Sequence, residues 1–96
     1  VKLAWSNLAK TELLALRRFS EKRWGRDVAL AYLEDVRTAA KQLCIEPHRA
    51  RPTKAPFHIL RVRSHFLIVH IDATADRLTI ARVLHIAMDI ERHLPS

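Results

Sequence analysis

The residues of this 96-residue chain best suited to chemistry gather near its C-terminus, where Arg82, His85, Asp89, Arg92 and His93 follow one another closely. Leu78 to Leu84 reads as a strand. Ile86, Met88 or Asp89, Ile90 and Leu94 then follow a helical period, which predicts a short helical tail. A change of period there places polar groups where a strand leaves a sheet, so these side chains are positioned to meet one partner together. The plainer alternative is a tail that only closes the core, with its charges on a solvated face.

Six histidines, His48, His58, His65, His70, His85 and His93, extend the search. They form no His-x-x-x-His pair and no His-Glu-x-x-His motif, and a lone Cys44 cannot make a Cys-x-x-Cys pair, so neither a metal nor a cofactor is expected. Ser64 beside His65 is a poor nucleophile and base, because neighbours on a strand point to opposite faces. Cys44 falls at a buried helical position. No catalytic residue is assigned.

Composition sets the frame for these residues. At 96 residues and 49% apolar, the chain reads as one domain over 1–96, near the lower end of what supports an unassisted core. No apolar run reaches the ~18 residues that a membrane-spanning helix needs, and charged residues interrupt the apolar stretches that a signal peptide would require. The single cysteine suits a reducing cytoplasm. Seventeen Lys and Arg against ten Asp and Glu give a net charge of +7, which attracts nucleic acid or an acidic protein. No helix-turn-helix, zinc-finger or RNA-recognition signature accompanies the charge, so direct nucleic-acid binding is not expected.

The elements that must position the site follow from periodicity. Leu3-Ala4-Trp5 is a short strand, and Ser6 or Asn7 can cap the helix that follows. That helix carries Leu8, Ala9, Leu13, Leu14, Ala15, Leu16 and Phe19, an apolar set broader than one stripe. Such a helix is either deep in the core or leaves part of its face for a partner. Gly25 ends it. A second helix from Arg26-Asp27 shows one apolar face of Ala29, Tyr32, Leu33, Val36, Ala40 and Leu43, and Pro47 stops it. Residues 47–56, with Arg49, Arg51 and Lys54, read as a basic loop, solvated or touching a phosphate or carboxylate. Three strands follow, Phe57 to Arg63, His65 to Asp72 and Leu78 to Leu84, and their short connections require antiparallel pairing. Leu67, Val69 and Ile71 share one face of the middle strand while Phe66 and Ile68 take the other, so both faces must be covered. The expected fold is α+β: an N-terminal strand, then a two-helix hairpin packed on a mostly antiparallel sheet, with a C-terminal three-strand meander and a helical tail.

Three motifs carry a family resemblance. Arg82-Val83-Leu84-His85, two residues, Met88-Asp89, three residues and His93-Leu94 resemble the C-terminal signature of the ParE branch of the RelE/ParE toxin superfamily. Arg23-Trp24-Gly25 followed by Ala29 and Tyr32 resembles the junction of that family's two helices, and Ser64-His65 opens a strand as it does there. Departures occur at Phe57-His58, where the family often has Tyr-Arg, and at Val69-His70, where a strand tyrosine is usual. The resemblance implies the RelE/ParE fold and a toxin of a type II toxin-antitoxin system. Such a toxin inhibits DNA gyrase by binding, without chemistry of its own, and is neutralised by a cognate ParD-like antitoxin with a ribbon-helix-helix DNA-binding domain. Carried onto this chain, it makes Arg82, His85, Met88, Asp89, Arg92 and His93, with Arg61 and Arg63, candidates for the target-facing surface. Leu13, Leu16, Phe19 and Arg23, helped by Trp5, are candidates for the antitoxin-binding surface, with Leu16 expected to be an interface anchor that the fold can spare.

Two other readings remain open. RelE-like relatives cut messenger RNA on the ribosome, and here Arg61, Arg63 and Arg82 could hold charge while His65 or His85 carries protons. The C-terminal aromatic that stacks on a base in that branch is missing: Ile86 and Ala87 stand after His85. The third reading is a non-toxic basic module that only binds its partner, distinguished by steeply salt-dependent DNA binding of the isolated chain.

Overall fold

The computed structural model describes residues 1–88 and 90–94. The chain runs β1 (Lys2–Trp5), α1 (Asn7–Trp24), α2 (Arg26–Ile45), a 3-10 turn (Pro47–Arg49), β2 (Arg51–Pro52), β3 (Phe57–Val62), β4 (His65–Asp72), β5 (Arg77–His85) and α3 (Ile90–His93). The five strands form one mixed sheet in the order β1-β5-β4-β3-β2. β1 lies parallel to β5, with Trp5 opposite Ile80, and the other pairings are antiparallel.

Local chemistry explains each boundary of the helical hairpin. Ser6 caps α1: its Oγ accepts the Ala9 N–H at 2.9 Å and donates to the Ala81 carbonyl at 2.7 Å, so one hydroxyl both starts the helix and ties it to β5. Gly25 alone separates α1 from α2, at φ 92° and ψ 169°. This is the extended positive-φ region open only to glycine. Its N–H donates to the Glu21 carbonyl and its own carbonyl accepts the Ala29 N–H, so this residue closes the last turn of α1 and opens the first turn of α2.

The α2 face is as expected, with Ala29, Tyr32, Leu33, Val36, Ala40 and Leu43 buried. All of these but Ala29 pack with Leu67, Val69, Leu78 and Ile80 of the sheet, and Leu3, Trp5, Leu60, Val62 and Ile71 flank this core. On the opposite face Ile68 and Leu84 meet Leu94, supported by Phe57, Ile59 and Phe66, so the C-terminal tail covers part of the second apolar face. Burying one such aliphatic side chain contributes about 1.5–3 kcal/mol.

One feature departs from the sequence reading, and another decides between two placements it left open. Residues 47–56 are not all loop: Arg51 and Pro52 pair with Ile59 and His58 as a fifth, edge strand, where proline is tolerated because its missing N–H faces outward. Of the two placements open to α1, the structure has the second, with part of its apolar surface left exposed. Only Ala9, Leu16 and Ser20 of it are buried, while Leu8, Leu14 and Phe19 are 49%, 47% and 59% exposed. Among the described residues, no helix is long and apolar enough to cross a membrane.

Candidate functional site

β1 ends opposite Ile80, which leaves β5 with an open edge from Ala81 onward. The β4–β5 register shifts between Ile68 and Val69, so that Ile68 pairs with Arg82 and Val69 with Ile80. α1 fills the open edge with Glu12. Its Oε1 accepts the Val83 backbone N–H at 2.9 Å, and its carboxylate accepts three bonds from Arg82, two from Nε at 3.1 Å and one from Nη2 at 2.8 Å. Arg82 Nη1 donates to the His93 carbonyl at 2.7 Å and so pins the tail. The Arg82 and Glu12 side chains are only 16% and 18% exposed. Arg82 is therefore a fixture joining α1, β5 and α3, which corrects its expected place on a target-facing surface: its charge is spent inside the molecule.

At the neighbouring end of the sheet, Tyr32 organises a second network. Its hydroxyl accepts the Ser64 N–H at 3.0 Å and meets His65 Nδ1 at 2.7 Å. Donation of the phenol proton to Nδ1 is the arrangement that gives that proton a partner, and it places the proton of the neutral His65 ring on Nε2. The pKa of His65 is lowered to about 4, first by burial and second by His85. The two imidazoles pack edge to face at 5.2 Å, and His85 Nδ1 accepts the Ala87 N–H at 3.0 Å. Arg63 lies 4.9 Å above the Tyr32 ring and is ion-paired with Asp35. It occupies the two-residue turn between β3 and β4 at φ 53°, and its carbonyl accepts Arg61 Nε at 2.9 Å.

Between these two networks lies a cavity of about 390 Å³, walled by α1, by Tyr32 and by the ends of β4 and β5. It brings together Leu16, Phe19, His85 and Met88 from the sequence-predicted candidates and adds Ser20, Trp24 and Tyr32. Phe19 and Trp24 meet edge to face at 6.0 Å, with the Arg23 guanidinium 5.7 Å from the Trp24 ring. The other candidates stand apart. Trp5 and Leu13 are half-buried against the main core. Arg61 and Arg63 surround the β3–β4 turn, Arg92 is exposed on α3, and His93 is half-buried there. Asp89 lies outside the described residues. Leu16 needs correction: at 6% exposure it belongs to the core that joins α1 to α2 and the sheet, and only its edge reaches the cavity.

Sequence reasoning passed over Tyr32, Ser20 and Trp24 as site residues. Tyr32 stood on a face otherwise filled by Ala, Leu and Val, and a tyrosine there signals that its hydroxyl has a partner. Ser20 follows Leu16 by one turn on the buried side of α1, a polar interruption of an apolar stripe.

A family model described as "ParE toxin of type II toxin-antitoxin system, parDE" matches residues 3–90. The chain belongs to this ParE toxin family. Among solved structures, this ParE-family chain is similar to the chromosomal ParDE toxin-antitoxin system from P. aeruginosa. The two are 19% identical over 90% of this chain and 96% of that one, with a TM-score of 0.78. It is also similar to the toxin-antitoxin complex RelBE2 from Mycobacterium tuberculosis, at 21% identity over 88% and 95% of the two chains and a TM-score of 0.65. At these identities the likeness establishes the shared fold. A search of curated proteins found no match.

Proposed function

We propose that this ParE-family chain is a toxin that acts by binding DNA gyrase, without chemistry of its own, and is held inactive by a cognate ParD-like antitoxin seated on α1. The observation that carries the antitoxin half is the apolar ridge on that helix, where Leu8 and Phe19 share a face, Phe19 meets Trp24, and each of the three is about half exposed or more. Exposed aromatic and aliphatic side chains on one helix mark an interface that a partner covers. Arg18, Lys22 and Arg23 are exposed beside them, and the chain carries +7 overall, so the partner segment is acidic as well as amphipathic. Phe19 and Trp24 are its anchors and Arg23 a rim contact, whereas Leu13 and Trp5 support the face from below.

The gyrase half rests on family membership. For the target-facing surface the available side chains are His85, Met88 and Arg92, with Arg61 and Arg63 along the same end of the sheet. A ribonuclease reading has one observation in its favour, the meeting of Tyr32, His65 and His85 around a single cavity. His65, however, stays neutral at physiological pH and spends Nδ1 on Tyr32, so it is poorly suited to donate a proton as an imidazolium.

Purified gyrase and relaxed plasmid separate the readings. Loss of supercoiling with accumulation of cleaved plasmid, reversed by antitoxin, is the expected result. Unchanged supercoiling together with cut messenger RNA on programmed ribosomes would transfer the chain to the ribonuclease reading.

A further inference from the structure

The helical hairpin carries a second surface that the α1 ridge does not use. Between α1 and α2 runs a groove of about 230 Å³ lined by Lys10, Leu13, Leu14, Arg17, Leu33 and Arg37. Its four α1 members stand at i, i+3, i+4 and i+7, which is one stripe of a helix. Leu14 and Phe19 are five positions apart, so they point about 140° away from each other around α1. The groove and the ridge are therefore separate faces.

Size and exposure limit what the groove can hold. Leu33 is buried and Leu13 half-buried, so they form its floor, while Leu14 stands 47% exposed at its lip. Leu30, one turn before Leu33 on α2, is 39% exposed and extends the apolar strip. Sites for free small molecules run from roughly 300 to 1,000 Å³. This groove is smaller, and suits one aliphatic side chain delivered from outside.

Charge sets the rest of the partner's chemistry. Half of the lining residues are cations, and among the described residues no carboxylate lines the groove. Arg17 is shared with Glu21 at 2.9 Å. Lys10 and Arg37 are exposed and have no ion-pair partner among the described residues, and exposed Lys41 follows Arg37 by one turn. Glu34 is exposed on α2 but does not line the groove. A second copy of this chain, at +7, would be repelled. A nucleic-acid strand would find cations but no aromatic ring to stack on.

We infer that this groove seats an acidic segment of a partner protein, which inserts one aliphatic side chain over Leu33 and sets its carboxylates on Lys10 and Arg37. The site stands apart from the gyrase and antitoxin readings, because its residues lie on a different stripe from the ridge.

The test is an NMR titration of the full chain with acetyl-Ala-Glu-Glu-Leu-Glu-Glu-Ala-amide. One control peptide has serine in place of the leucine, and a second has glutamine in place of every glutamate. The first peptide is expected to shift the backbone amides of Leu14, Leu33 and Arg37 and to leave those of Phe19 and His85 in place. Each control should bind about tenfold more weakly, since each lacks one half of the recognition. Arg37→Gln and Leu14→Ser, both at exposed positions, should each weaken the first peptide by about tenfold at an unchanged Tm, which separates a lost contact from a damaged fold. A serine control that binds as tightly as the leucine peptide, shifts confined to the ridge, or groove amides that no peptide moves would overturn the inference. Phosphatidylglycerol vesicles that broaden the groove amides where the peptide does not would replace the partner by a lipid surface, and shifts on concentrating the chain alone would replace it by a second copy; either overturns it too.

Discussion

Replacing Glu12 by alanine tests whether the α1–β5 junction is held by one carboxylate. Three hydrogen bonds from the Arg82 guanidinium and one from the Val83 N–H would be lost together. Breaking a fully buried ion pair from one side costs about 3–5 kcal/mol. Here both side chains keep about a sixth of their surface in water, so solvent can replace part of the interaction and the upper end does not apply. The abandoned Val83 N–H adds about 1 kcal/mol or more, depending on whether water reaches it. The expected cost is about 3 kcal/mol, against a total stability of roughly 5–15 kcal/mol for a domain of this kind, so the variant still folds. At 4–8 °C per kcal/mol for a chain of this length, Tm should fall by about 12–24 °C. Urea unfolding of the parent, Glu12→Ala, Arg82→Ala and the double variant gives the coupling directly. Because each single change leaves an unpaired group that the double change removes, the double variant should be about 1–2 kcal/mol more stable than additivity allows. A Glu12→Ala loss below 0.5 kcal/mol, or strict additivity, would refute the clamp.

Three further outcomes are expected. Stability should depend on pH through His65: its folded pKa, about 4, lies below the ordinary 6.5, so the folded state binds fewer protons than the unfolded one. The contribution is present above pH 6.5 and is lost as pH falls from 6.5 toward 4, worth about 1–2 kcal/mol after discounting for the ring's partial exposure to solvent; denaturant midpoints between pH 7.5 and 4.5 measure it, and His65→Asn should remove that part of the slope. Gly25→Ala should destabilise by about 1–3 kcal/mol through backbone strain alone, since φ is +92° and a Cβ there meets nothing within 4 Å; an unchanged Tm would contradict the assigned conformation. Leu16→Ala should cost about 2–4 kcal/mol in urea unfolding, as a core truncation, whereas Phe19→Glu should leave stability within about 0.5 kcal/mol but weaken antitoxin binding by about 2 kcal/mol or more in calorimetry; equal effects of the two on folding would erase the distinction between core and ridge.

The parts of the fold legible in the sequence are those set by local periodicity. The α2 face from Ala29 to Leu43, the cap at Ser6, the break at Gly25 and the two-faced strand β4 each need only a few neighbouring residues to declare themselves. What stayed hidden depends on pairings between distant segments. The parallel placement of β1 on β5 follows from no local signal, and β2 is too short, and too rich in proline around it, to show an alternating pattern. The candidate site divides the same way. The exposure of Phe19 was legible because a large apolar residue extended the α1 stripe beyond what packing needs. Arg82 was misread because Glu12, its partner, is 70 positions away, and a sequence cannot show that a charge near its end is neutralised by one near its beginning. Leu16 was misread for a related reason: on a helix apolar around much of its circumference, periodicity cannot tell which stripe faces the sheet.

The most direct test of α1 as the antitoxin seat uses Trp24, which is 51% exposed on the ridge. A Trp5→Phe variant leaves it as the sole tryptophan. Antitoxin added in slight excess should shift its emission to the blue and protect it from acrylamide quenching, because a partner helix over Phe19 and Trp24 removes water from the indole. A complex that forms, as judged by its mass, while Trp24 emission and quenching stay as in the free chain would contradict the account and place the antitoxin elsewhere.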